Sequence, residues 1–226
     1  MAFLQKKICA VLVGGLMLLP LTTMAQYNDF QTWTSIEIKK KASKKLSFAL
    51  EEEMRLCNNS STFSKNNVTI STTYAMHKKL RLGAGYRYSY ANDFDDGYVR
   101  GHRLMLNATL RHKTDNNFVF SFRERFQTDW TSAPHEYASL YLRHKLQVAY
   151  SNKIYAWSPY ASVEFTEALN NPVQNTFERI RALAGCEYEI NSSLNANLGF
   201  GYQSTRRPTK KPKDTFMLSV GFSYTL

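Results

Sequence analysis

Nucleophile, base and metal-ligand chemistry is sparse in this chain. Its five histidines are His77, His102, His112, His135 and His144. An exported lipid hydrolase of the serine type needs a Ser hydroxyl beside an imidazole that a third polar group orients. None of the five has a serine two residues on, and we read no catalytic residue from the sequence. His102 and His144 each stand in otherwise apolar rows, where an isolated imidazole suits an interfacial polar role as well as an acid–base one. Apart from Cys9, the cysteines are Cys57 and Cys186, too few for a disulfide framework or a clustered metal site. With no phosphate loop either, no cofactor and no metal is expected.

Charge is the more informative chemistry. Glu51, Glu53, Arg55, Arg81, Arg87, Arg103, Arg123, Arg125, Arg143, Lys145, Glu164, Arg179, Arg181, Glu187 and Glu189 all fall on one parity of period-two segments. Residues of one parity share one face of a strand. Two arrangements satisfy such a face. The groups can neutralise one another as a network that fills a narrow lumen, or their basic surplus, ten against five, can line a pocket or pore for an anion. A second basic group, Arg206, Arg207, Lys210, Lys211 and Lys213, shares a Pro-punctuated stretch from Thr205 to Lys213. That stretch reads as a loop suited to the phosphates of surface glycolipid.

The elements that hold these charges show the opposite character on their other face. Leu46, Phe48, Leu50, Met54 and Leu56 alternate with the first glutamates, and Leu104, Leu106, Ala108 and Leu110 with Arg103 and Arg111. Ten such segments follow one another from residue 45 to the end, most long enough to cross a bilayer at a tilt. Short links at 78–79, 112–117, 151–153 and 191–193 interleave with longer polar ones at 57–66, 91–97, 129–136, 167–176 and 204–213. Aromatics gather toward the ends of the apolar rows: Tyr88, Tyr90, Phe126, Phe165 and Tyr202 toward the longer links, and Phe118, Tyr150, Tyr155, Trp157 and Tyr224 toward the shorter ones. Paired aromatic girdles mark the two interfaces of a membrane barrel. A soluble ligand-binding barrel would place the same apolar rows inside and leave the girdles without a purpose.

The beginning of the chain suits export. Lys6 and Lys7 precede an apolar stretch from Ile8 to Leu21 and the small-residue end Thr23-Met24-Ala25, the order of a cleavable signal peptide over residues 1–25. The apolar stretch is shorter than the roughly 20 residues of a spanning helix. Removing 25 residues leaves 201 of the 226, one domain, with 27 basic against 18 acidic groups and a charge of +9. For an exported chain that charge points to anionic lipid or lipopolysaccharide and away from nucleic acid. The expectation is an all-β, antiparallel up-and-down transmembrane barrel of about ten strands, in the bacterial outer membrane. Residues 26–44 form a lead-in and residues 45–226 the barrel.

Two further matches are resemblances. Ser219, Gly221, Tyr224 and Leu226 resemble the terminal signal read by the outer-membrane barrel assembly machinery, with Leu226 where an aromatic is commoner. Thr32-Trp33-Thr34, the run Glu51-Glu52-Glu53-Met54-Arg55, Gly101-His102-Arg103-Leu104 and Arg123-Glu124-Arg125-Phe126 resemble a family of uncharacterised small outer-membrane β-barrels, a domain of unknown function typical of Bacteroides-like bacteria. That resemblance implies the fold and brings no activity. Functionally it leaves a structural or surface-interaction barrel, a lipid-modifying enzyme of lipase or deacylase type, and a small anion-conducting pore. Phe30, Thr32, Thr34, Ile36 and Ile38 alternate with Gln31, Ser35, Glu37 and Lys39, an eleventh strand candidate. Because single-chain bacterial barrels have even strand numbers, the expectation is that it lies beside a ten-stranded wall or has an unseen twelfth partner.

Overall fold

A computed structural model describes residues 27–93, 97–132, 138–152, 154–170, 177–207 and 210–226; the expected signal peptide lies outside the described residues. Eleven strands close one barrel. They are β1 (Tyr27–Lys41), β2 (Leu46–Cys57), β3 (Thr62–Ala75), β4 (Leu80–Asp93), β5 (Gly97–Lys113), β6 (Phe118–Thr131), β7 (Ser139–Tyr150), β8 (Trp157–Ala168), β9 (Phe177–Glu189), β10 (Leu194–Arg207) and β11 (Lys210–Thr225). Sequential neighbours pair antiparallel. With an odd number, the last pair must run the same way, and β1 and β11 close the wall in parallel from Tyr27↔Lys213 to Lys39↔Thr225.

Both expectations for residues 30–39 are therefore corrected. The segment neither folds aside nor needs a twelfth partner, and the wall begins at Tyr27, not at residue 45. Its own side chains allow this: β1 has the same two-faced alternation as the rest and satisfies both of its edges, one against β2 and one against β11.

The strands run past several places where the alternation fades. The link expected at 57–66 is a four-residue turn, with Asn58, Asn59 and Ser60 at positive φ, a conformation Asn tolerates better than most residues. The stretch from Thr205 to Lys213 is not a loop but the end of a hairpin, with Thr205↔Lys213 and Arg207↔Lys210 in register across a bulge. At one rim, here called upper, β2, β4, β6, β8 and β10 end and the next strand of each begins; at the lower rim β1, β3, β5, β7 and β9 end and the next strand of each begins.

Burial inverts the usual globular order. Large apolar side chains face outward, with Ile36 at 62 % exposure, Leu106 at 60 % and Phe120 at 50 %, while Arg143, Glu164, Gln127 and Asn67 are all buried inside. Hydrocarbon outside and a polar interior is the solution open to a strand-built wall in lipid. Aromatic pairs gather toward both rims on the outer face: Tyr90 stacks on Tyr98 at 4.9 Å near the upper one, and Phe118 meets Tyr150 edge-on at 5.4 Å near the lower.

Candidate functional site: a charged belt across the lumen

The inward parity carries side chains of two kinds. Toward the lower rim many are short: Ser71, Gly83, Ser121, Ser162, Gly199, Gly221 and Ser223. Two glycines there make room for one ring. A Cβ at Gly185 would sit 2.7 Å from the Tyr160 hydroxyl, and one at Gly199 would sit 3.1 Å from it, so Tyr160 lies flat against the neighbouring strands and donates to Asn197 Oδ1 at 3.1 Å. Between β1 and β9–β11 a polar cavity of about 230 Å³ opens at this end, lined by Glu37, Lys39, Glu51 and Glu187.

Toward the upper rim the inward side chains are long, charged and interlocked. On β2 and β4, Glu53 accepts from Arg55 Nη2 at 2.7 Å and lies 3.6 Å from Arg87, which also reaches Glu51 at 3.4 Å. Asn67 and Thr69 of β3 complete this cluster, donating to Glu53 and accepting from Arg87 respectively, both at 2.8 Å. On β8, Glu164 pairs with Arg143, with Arg123 at 2.7 Å and with Arg181 at 3.8 Å. Trp33 of β1 joins the two clusters, with the Arg55 guanidinium 3.6 Å from its ring centroid and that of Arg181 4.9 Å away. Gln203 of β10 accepts from Arg181 at 2.6 Å, and Gln127 of β6 accepts from Arg143 at 3.1 Å. Arg103 of β5 closes on Asp129 of β6 through two hydrogen bonds, one of 2.6 Å. Met217 of β11, fully buried, packs beside Gly201 and stands opposite Gln31 of β1.

Of the fifteen charges expected on the inner face, the structure brings ten into this belt: Glu51, Glu53, Arg55, Arg87, Arg103, Arg123, Arg143, Glu164, Arg181 and Arg125, the last donating to Asn107 Oδ1 at 2.7 Å. Lys145 faces Arg123 directly across β6–β7, and Arg179 sits 3.9 Å from Glu178. Arg81, Glu187 and Glu189 are exposed near the lower rim and stand apart from it. Sequence reasoning missed Trp33, Gln127 and Asp129. Trp33 lay in the supposed lead-in and Asp129 in a supposed loop; the signal for both was their parity, which continues that of the strand they extend.

His102 and His144 lie on the outer wall, and His135 falls outside the described residues. His102 Nδ1 shares a 2.7 Å hydrogen bond with the Tyr86 hydroxyl, and its ring stacks on Trp130 at 5.6 Å, an aromatic cluster near the upper rim. His144 Nδ1 lies 2.8 Å from Glu124 and Nε2 3.9 Å from Glu167, three polar groups on the outer wall. Among the described residues no hydroxyl hydrogen-bonds His144, so the arrangement holds a base and its orienting acids without a nucleophile. No group of three or more metal-ligating side chains occurs among the described residues. The terminal residues lie in and just past β11: Ser219 and Gly221 face inward opposite Trp33 and Ser35, Tyr224 faces outward at the lower rim, and Leu226, one residue beyond the strand, is exposed there. Of the basic hairpin, Arg206 is exposed and Lys213 lies 3.8 Å from Asp29, while the side chains of Arg207, Lys210 and Lys211 lie outside the described residues.

Comparison with known proteins supports this architecture. The profile of a family described as "Protein of unknown function (DUF2490)" matches residues 30–214. No curated protein matches the sequence. Among solved structures, the beta domain of the Bordetella autotransporter BrkA is similar, with a TM-score of 0.56 at 13 % identity over 81 % of this chain and 85 % of that one. The translocator domain of the autotransporter NalP from Neisseria meningitidis gives a TM-score of 0.40 at 13 % identity, over 73 % of this chain and 70 % of that one. At such identity the BrkA likeness establishes an outer-membrane-type β-barrel fold.

Proposed function

The chain belongs to the DUF2490 family of proteins of unknown function, and on that premise we propose that it is an outer-membrane barrel whose lumen is sealed by its own charged side chains. It serves a structural or surface-interaction role, and conducts little. The observation that carries this reading is the belt, whose contacts reach from Arg87 on β4 through Trp33 on β1 to Arg103 on β5. Eight-stranded barrels are filled by side chains and water-filled channels belong to barrels of about 16 strands or more. Eleven strands lie near the filled end of that range, and long Arg side chains span the remaining width. The outward hydrocarbon and the aromatic pairs near both rims support a membrane setting, with outer-membrane lipids and lipopolysaccharide as neighbours and the barrel assembly machinery as the agent reading Ser219, Gly221, Tyr224 and Leu226.

Planar-bilayer recording tests the reading. Sparse, brief openings are expected; steady anion-selective conductance would replace it with a pore. Fractionation with heat-dependent gel mobility tests the location, and recovery of a soluble periplasmic protein would end it. The basic hairpin adds a surface contact: neutralising Arg206, Arg207, Lys210, Lys211 and Lys213 should weaken retention of glycolipid, in a salt-sensitive way, without preventing assembly. A hydrolytic reading is favoured by one feature, the Glu124–His144 pair on the outer wall, and release of label from phospholipid or lipopolysaccharide by purified protein would establish it.

A further inference from the structure

We propose that the belt contains a binding site for a small dianionic oxyanion, phosphate or a phosphomonoester, between Arg125 of β6 and Lys145 of β7. The inference rests on the sealed-lumen reading, because an ion held between side chains requires a lumen they nearly fill.

Register brings the positive charges together. Arg123 stands directly opposite Lys145, and Arg125 directly opposite Arg143, so four cations occupy two successive inward positions of one strand pair. Directly opposed like charges destabilise a sheet. The carboxylate supplied to them is Glu164, which is already shared by Arg143, Arg123 and Arg181. Among the described residues Lys145 makes no ion pair or hydrogen bond, and Arg125 uses its Nε alone, leaving both terminal amino groups of its fork free. Asn107, by accepting that Nε, fixes the plane in which the free fork points.

The spacing suits one ligand class. Arg125 and Lys145 are diagonal neighbours, with Cβ atoms about 7 Å apart by sheet geometry. A tetrahedral oxyanion accepting about 2.8 Å hydrogen bonds on two sides bridges such a span, with the fork taking two oxygens and the ammonium a third. A second negative charge matters because the site holds two surplus cations, and a monovalent halide meets one of them at a time. The row beneath presents the uncharged polar side chains of Ser121, Gln147 and Ser162 on β6–β8, with Arg111 of β5 opposite Ser121. The inward-facing site is reached from the lumen, which excludes a headgroup still attached to its bilayer lipid.

The test uses the purified full chain in detergent. Inorganic phosphate, at ionic strength matched with chloride, should raise the thermal midpoint saturably, and glycerol phosphate, as a second arm, distinguishes a phosphomonoester from the free ion. Line broadening of the phosphate phosphorus resonance on the unmodified protein gives a readout independent of any variant. Lys145→Met and Arg125→Met should each weaken phosphate binding roughly tenfold or more while leaving the phosphate-free midpoint unchanged or higher, since each removes a repelled charge. Lys145→Arg should retain binding. Arg103→Met, which breaks the Asp129 pair instead, should lower the midpoint and keep the phosphate response. A phosphate effect equal to that of chloride, or one indifferent to both variants, would overturn the site. Either result leaves the sealed lumen to its own test, because a closed barrel without a phosphate response still shows little conductance and an open one does not.

Discussion

Two clusters of the same chemistry hold opposite halves of the belt and differ in balance. On β2–β4, Glu51 and Glu53 face Arg55, Arg87 and Lys65, the last directly opposite Arg55, two carboxylates for three cations, with Asn67 and Thr69 taking up remaining donors and acceptors. On β6–β9, Glu164 alone faces Arg123, Arg143 and Arg181, with Arg125 and Lys145 alongside. The first is close to balance, with one cation over. The second is held by a single carboxylate and carries surplus charge, the mark of a place built to hold something more. A buried ion pair gains little over an apolar pair of the same shape, but removing one member costs the full burial of the other. The difference in balance therefore predicts a difference in fragility.

The largest expected effect is that of Glu164→Gln. It leaves the buried Arg143 and the half-buried Arg123 and Arg181 without a carboxylate and should cost about 3–5 kcal/mol, or prevent assembly. Urea unfolding in detergent, with heat-dependent mobility as the folding check, measures it; a loss under 1 kcal/mol would mean the second cluster is hydrated and not sealed. Phosphate should recover part of the loss, since it substitutes for the missing charge. Glu53→Gln should cost less, about 2 kcal/mol, because Glu51 still reaches Arg87. The double change of Glu51 and Glu53 to Gln should approach the Glu164→Gln value without opening a channel, because Gln fills the same width; a steady conductance in that variant would mean that charge pairing, and not side-chain width, closes the lumen.

What was legible in the sequence divides along the same line. The alternation exposed the barrel and the inward charges because hydrocarbon outside and polar groups inside differ sharply in residue type. It failed where that contrast vanishes. Above the apolar band the outward face is no longer steadily apolar, so Thr62 to Asn66, Asp129 to Thr131, Ser204 to Arg207 and Lys210 to Lys213 read as loops although they belong to strands. Asp129, the partner that satisfies Arg103, was lost in that way. Parity cannot report pairing direction, and an expectation of even strand number displaced β1 from a wall that its own pattern fitted. Which carboxylate serves which cation was not legible either: Glu164 is one of several acidic residues in sequence and becomes the hub because β9 places Arg181 directly opposite it and β7 places Lys145 opposite and Arg143 on the diagonal.

Trp33 offers the finest test of the comparison, because it is the point where the two clusters meet. Arg55 from the balanced half and Arg181 from the unbalanced half both lie over its ring. An aromatic face attracts a cation by its quadrupole, by about 1–2 kcal/mol when water is excluded, and Trp33 is 8 % exposed. Trp33→Leu keeps an apolar side chain there and removes the ring, so a loss of about 1–2 kcal/mol is expected. The more discriminating quantity is coupling. If the ring transmits the position of one guanidinium to the other, then Glu53→Gln and Glu164→Gln should be non-additive by about 0.5–1 kcal/mol in the native background and additive within error once Trp33 is Leu. Additivity in both backgrounds would make the clusters independent, and the ring a spacer that fills width. Coupling that persists without the ring would place the connection in the direct repulsion between Arg55 and Arg181, which the ring then serves to screen.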